Sequence, residues 1–204
     1  MRKALAAAAA TMLFASIPAL GDGKASRMPD LTEAQLREIA ANRAAQGTAI
    51  INLSLTTGHA PVIARATGQL AQALRNDAVS PRLLRELAIL RTAHVVGSEY
   101  EFVQHVVLAK GCGYPQAKID AIPDWTGSKL FDDRERVLLA YVDRFTRGGD
   151  VDDATWGAME KTFTPREIVE LSVTIGNYYG NGLLTKALRV KLETGGHVSG
   201  QGKC

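Results

Sequence analysis

The chain has 204 residues, 46% of them hydrophobic, with 24 lysines and arginines against 21 aspartates and glutamates. That near balance, without any Lys/Arg cluster, excludes the electrostatic footprint of a nucleic-acid binder. Two cysteines, Cys112 and Cys204, exclude a disulfide framework.

Residues 1–21 read as a secretory signal peptide. Arg2 and Lys3 precede an apolar stretch from Ala4 to Leu20, which ends in the small-residue run Ala19-Leu20-Gly21. Thr11, Ser16 and Pro18 interrupt that stretch, so it is too short and broken for a span that needs roughly 20 apolar residues. Cleavage near Gly21 would leave about 183 residues carrying a net charge of about +1. The expectation is a periplasmic or secreted protein that makes no membrane contact after cleavage. Residues 22–193 suit one domain, and residues 194–204 form a flexible Gly-rich tail. Nothing in that tail holds Cys204 at bridging distance from Cys112, so a disulfide between them is not expected.

Pro, Gly and capping residues divide the rest into helices, giving an all-α reading. Residues 31–46 are helical in pattern and end at Gly47. Residues 49–56 (AIINLSLT) are the one stretch with strand character. Pro61 begins a second helix, suited to a first turn because its missing N–H would have no partner there. Ser80-Pro81 begins a third, LLRELAILRTAHVV, which stops at Gly97. Ser98 opens a fourth, EYEFVQHVVLAK, closed by Gly111. A short helix follows at 115–122, then a loop with Pro123 and Trp125, and Asp132 or Asp133 starts RERVLLAYVDRFTR. The last three segments are 151–161, 165–179 and 183–193. Sliding the chain by 84 places Pro81-Arg82 on Pro165-Arg166, Glu86-Leu87 on Glu170-Leu171 and Gly111 on Gly195, which suggests a duplicated helical hairpin. Where the first copy has Glu101 and His105, the second has Thr185 and Arg189, so a site built on one copy is built on the first.

At 100° per residue, Glu86 falls in the middle of the apolar face of the helix 83–96. A carboxylate there must be paired, hydrogen-bonded or protonated, because burying it unpaired forfeits several kcal/mol of hydration. An arginine from another helix would neutralise it without chemistry. His105 lies among Phe102, Leu108 and Ala109, with Glu101 one turn earlier on the same face. Ser98 and Glu101 fit a capping box, which explains Glu101 structurally. The turn at Gly97 lets Glu86 and His105 face each other, and a carboxylate with an imidazole in apolar surroundings is a plausible acid/base pair.

Pro81-Arg82, Arg85-Glu86-Leu87 and Gly97-Ser98-Glu99-Tyr100-Glu101, followed by His105 and Gly111, resemble the core motif of the carboxymuconolactone decarboxylase family. Its fold is shared with alkyl hydroperoxidase D (AhpD)-like proteins. The resemblance runs from about Met28 to Glu193 and includes His59-Ala60-Pro61, Phe163-Thr164-Pro165 and Gly176-Asn177-Tyr178. It implies an all-helical domain assembled as a homotrimer or homohexamer, with its site around this Glu and His. The peroxidase branch carries a Cys-x-x-Cys pair, and here Ser98 and Glu101 occupy those two positions. Without the low-pKa thiolate and its resolving partner, thiol peroxidase chemistry is the least favoured reading. The thiol-free decarboxylase branch uses no metal and no organic cofactor, with the histidine as proton donor. The resemblance therefore implies a lyase or isomerase acting on a small lactone, enol or aromatic-derived acid, a class tied to aromatic catabolism. In it, His105 transfers the proton, Glu86 orients it, Glu101 borders the site, and Ser98, Tyr100, His94 and Tyr178 are candidate substrate contacts. Two alternatives stay open. Glu101 and His105, with Glu86 or His94, could ligate a metal, although none is expected. The hairpin could also serve only packing in a periplasmic binding or scaffold oligomer.

Overall fold

The computed structural model describes residues 25–194. The proposed signal peptide, residues 1–21, lies outside them, as does the tail from residue 195 onward. Nine helices and no strands occur among the described residues: α1 (Glu33–Ala45), α2 (Asn52–Thr57), α3 (Pro61–Asn76), α4 (Arg82–Val96), α5 (Glu99–Gly111), α6 (Gln116–Ala121), α7 (Asp133–Thr146), α8 (Asp153–Thr162) and α9 (Pro165–Leu188). The all-α reading holds. None of these helices is long and apolar enough to cross a membrane.

Helix starts follow local chemistry. Thr32, Asp132 and Thr164 each accept a hydrogen bond from the backbone N–H three residues on, and the side-chain oxygens of Gln35, Glu135 and Glu167 accept one from the cap residue's own N–H, completing capping boxes. Pro165 occupies the first turn of α9. At the far end of α4, Gly97 takes φ +69°, a left-handed conformation in which a side chain would be strained. Ser98 caps the next helix at once, so the chain reverses between α4 and α5 with no intervening loop.

Helix α4 is the axis of the molecule and packs against α5, α7 and α9. Two apolar clusters flank it. One joins Leu84 and Ala88 to Leu138, Tyr141, Met159, Leu171 and Ile175 of α7, α8 and α9. The other joins Leu87 and Leu90 to Ala109, Tyr114, Ile119, Ile122, Trp125 and Leu139. Leu87 and Leu90 are fully enclosed, each contributing roughly 1.5–3 kcal/mol over an exposed side chain. Arg91 ties the second cluster together, gripping both Asp143 oxygens at 2.7 and 2.9 Å and donating to the carbonyls of Ile122 and Pro123. Helices α1, α2 and α3 pack on one another and form a layer beside α5 and α9. Glu193 fastens this layer: one of its oxygens accepts from the Asn52 N–H at 2.8 Å and from the Tyr100 hydroxyl at 2.7 Å, and that hydroxyl accepts from the Leu53 N–H at 3.2 Å.

Three expectations change. Residues 49–56 form no strand. The β-branched residues Ile50, Ile51, Thr56 and Thr57 raise strand propensity, but no second strand exists among the described residues to pair with them. Instead the Thr56 and Thr57 hydroxyls donate to the carbonyls of Asn52 and Leu53 and hold the turn of α2. Second, the expected segment 165–179 and the first part of 183–193 are one 24-residue helix, α9, which ends at Leu188, and residues 189–193 are not helical. The repeat at a spacing of 84 therefore lays the α4–α5 hairpin over a helix that continues where the first copy turns. A Cβ on Gly182 would lie 3.0 Å from Val96 Cγ1 and 3.3 Å from Ser98 Cβ, so that glycine permits close approach of α9 to the hairpin turn rather than a break. Third, Cys112 is disulfide-bonded, and Cys204, the other cysteine in the sequence, lies outside the described residues.

Candidate active site

Helix α4 presents Arg82 and Glu86 one turn apart on its buried side, and α5 presents Glu101 and His105 with the same spacing. The reversal at Gly97 brings the pairs together. Glu86 is 1% exposed and both its oxygens are held: Arg82 Nε donates to Oε1 at 2.6 Å, and Oε2 lies 2.7 Å from His105 Nδ1. Burial pushes the Glu86 carboxyl up, but the His105 charge and hydrogen bond, reinforced by Arg82, outweigh it and hold the group below the usual carboxylate range. An ionised carboxylate can only accept, so Nδ1 of His105 donates to it and Nε2 is left available for chemistry.

His105 Nε2 faces Glu101, whose Oε2 lies 3.8 Å away, beyond hydrogen-bond length. Burial pushes the Glu101 carboxyl up, and the His105 charge opposes that only in part. Its Oε1 is buried without a hydrogen-bond partner. The Tyr178 ring meets the imidazole edge-on, with centroids 4.6 Å apart and planes at 83°, a favoured aromatic geometry that fixes the ring's orientation. A cavity of about 120 Å³ adjoins this group. It is lined by Glu101, His105, Gln104 and Tyr100 of α5, Tyr178 and Asn181 of α9, and residues of α1, α2 and α3 that include Arg43 and Arg75.

Of the residues singled out from sequence, Glu101, His105, Tyr100 and Tyr178 line this cavity. Glu86 lies behind His105 and touches it. Ser98 is not in the lining: it is buried at the start of α5, accepts from the Glu101 N–H at 3.3 Å and meets the Thr185 hydroxyl at 2.9 Å. The capping box is only half formed. Ser98 N–H donates to the Ala93 carbonyl, which releases the Glu101 carboxyl to turn inward. His94 is exposed and does not reach the cavity. Trp125 lies in the second core cluster, donating to Asp143. Among the described residues, no group of three or more His, Cys, Asp or Glu side chains could hold a metal ion.

Sequence reasoning missed Arg82, Arg43 and Arg75. The first had a signal, the i to i+4 spacing from Arg82 to Glu86, which makes the neutralising arginine a residue of the same helix rather than another. The other two come to the cavity from α1 and α3 by tertiary packing, and no local pattern announces them.

These features define a class: an all-helical protein whose reversed hairpin holds a buried carboxylate–imidazole pair beside a small cavity. Residues 61–144, from α3 through most of α7, match the model of the Carboxymuconolactone decarboxylase family. Solved structures with the same fold include a peroxidase-related protein from Ralstonia eutropha JMP134 described as an alkylhydroperoxidase AhpD core. It is 18% identical, with a TM-score of 0.69 over 84% of this chain and 94% of that one. The debrominase Bmp8 is 18% identical, with a TM-score of 0.67 over 82% and 92%. An uncharacterized peroxidase-related protein from Silicibacter sp. TM1040 is 14% identical, with a TM-score of 0.69 over 82% and 88%. No curated protein matches the chain.

Proposed function

We propose that the protein is a cofactor-independent lyase or isomerase that moves a proton to or from carbon in a small lactone, enol or aromatic-derived acid. The observation that carries this reading is the buried Glu86–His105 pair, whose free imidazole nitrogen faces the cavity. Neutral His105 takes a proton from the substrate carbon at Nε2, and the resulting imidazolium is stabilised by the ionised Glu86 at Nδ1. The electron pair left on carbon moves into the neighbouring carbonyl as an enolate, and return of the proton at another position completes an isomerisation. In a decarboxylation, the protonated imidazole instead delivers its proton to the carbon that carbon dioxide leaves. Glu101, biased by burial toward its protonated form, supplies a donor for the developing oxyanion, in the manner of other carboxylic acids kept neutral by apolar sites. One positioned acid/base group is worth about 10² to 10⁴ in rate.

Turnover on a panel of lactones, enol acids and phenolic acids tests the reading. His105→Ala is expected to lower kcat by at least about 100-fold on any substrate found. Full turnover in that variant would overturn the mechanism, and unaltered ligand binding with no turnover in either protein would favour a binding or scaffold role. Export through residues 1–21 and assembly into three or six copies belong to the same reading. Assembly is supported by exposed apolar residues on α5 and α9, among them Val103, Val107, Val169 and Val173.

A further inference from the structure

The cavity beside His105 holds more positive charge than its walls neutralise. Arg43 of α1 uses Nε to donate to the Ala49 carbonyl at 2.7 Å, but its buried Nη2 has no partner. Arg75 of α3 lines the same cavity, and among the described residues its guanidinium makes no hydrogen bond or ion pair. The two cations sense each other: burial, and after it the charge of Arg75, act against the Arg43 guanidinium. Glu101 is the one acidic residue in the lining, and it makes no ion pair with either arginine. Two guanidiniums brought together without a counter-charge are unfavourable in an apolar, partly closed site, and each retains donors in the planar arrangement that suits a carboxylate.

We infer that Arg43 and Arg75 form an anion-binding subsite that grips the carboxylate of a small organic acid and presents its carbon skeleton to His105 Nε2. This rests on the functional reading above and narrows its substrate class to acids that carry a free carboxylate, excluding neutral lactones. Both arginines come from the layer that α1–α3 add to the hairpin, and α1 lies outside the segment that matches the family model. The subsite therefore gives a specificity that the hairpin alone does not possess.

Calorimetric titration of the full chain with benzoate and with its uncharged amide, benzamide, tests the assignment without requiring turnover. Benzoate is expected to bind at least about tenfold more tightly than benzamide and to weaken with added salt. Arg75→Gln, which has no internal hydrogen bond to lose, should remove about tenfold of the benzoate affinity and leave benzamide unchanged. Arg43→Lys keeps the charge but not the planar fork and should weaken benzoate less than Arg75→Gln does. His105→Asn should preserve the preference for benzoate, so that a failure of the proton-transfer mechanism is read separately from a failure of the subsite. Equal affinity for the two probes, absence of benzoate binding to the wild type, or an undiminished preference in Arg75→Gln would each overturn the inference. Displacement of benzoate by inorganic phosphate at equal concentration would overturn the assignment to a carboxylate.

Discussion

Glu86 and Glu101 sit on either side of one imidazole and are driven in opposite directions. Glu86 has two hydrogen-bonding partners in contact, Arg82 and the His105 ring, and remains ionised; Glu101 has burial and one ring nitrogen at 3.8 Å, and is pushed toward neutrality. Glu86→Gln would leave the Arg82 guanidinium, 3% exposed, without its counter-charge, and is expected to lose about 3–5 kcal/mol in urea denaturation. Because the folded value of Glu86 is depressed, its stabilisation is present above the unfolded carboxylate range near pH 4.3. It is lost as pH falls through the lower folded value. Glu101 has the opposite sign. Its folded value is raised, so its contribution is full below about pH 4.3 and disappears as pH rises through the folded value. Glu101→Gln is therefore expected to be more stable than the wild type at neutral and alkaline pH, with the advantage vanishing in acid, as a series of thermal melts against pH would read. Reduced activity in that more stable variant would mark Glu101 as a group retained for chemistry at the expense of stability.

Each helix end that the sequence made legible was one where a single residue type settles the backbone. Gly97 ends α4 because φ +69° is open to glycine and strained for other residues, and Gly97→Ala is expected to lose about 1–2 kcal/mol, measurable as a fall in Tm. The same change would displace the α4–α5 reversal on which the distance between Glu86 and His105 depends, so catalytic loss should accompany it. Pro81, Ser98 and Asp132 marked starts for comparable local reasons. The continuity of α9 was hidden because Gly180 and Gly182 look like breakers, each disfavouring a helix by up to about 1 kcal/mol. Burial of Ile175, Tyr178 and Thr185 on one side of the helix outweighs that penalty, and the bare surface at Gly182 admits Val96 and Ser98. For α2 the difficulty was similar: β-branched residues indicate a strand only if another strand is there to receive them. Glu86 and His105 were legible because a charged group in mid-face is an anomaly any helical projection exposes. Arg43 and Arg75 were not, because an arginine on a solvated-looking helix becomes a cavity residue only when a different helix covers it.

At the scale of the molecule, the site lies at a seam between parts of unequal cohesion. Helices α4, α5, α7, α8 and α9 share two apolar clusters with many fully enclosed side chains, whereas α1–α3 contribute few buried residues, among them Ile39, Ile51 and Leu74. The layer they form is fastened by a small set of polar ties, chief among them Glu193, which accepts from the Asn52 N–H and the Tyr100 hydroxyl. Few buried contacts and a few polar ties mean a low free energy of local opening. Amide hydrogen exchange is therefore expected to be fastest to open in α1–α3, and slowest in α4 at Leu87 to Leu90. Glu193→Ala removes the shared acceptor and should accelerate exchange at Asn52 and Leu53, leaving the slowest α4 amides unchanged; equal acceleration in both regions would mean that the layer and the hairpin body open as one unit. Because α1 and α3 carry the cationic side of the cavity, an acid bound there would bridge this layer to the hairpin body. A ligand held between Arg75 and His105 should then slow exchange in α1–α3 selectively, coupling occupancy of the site to closure of the layer.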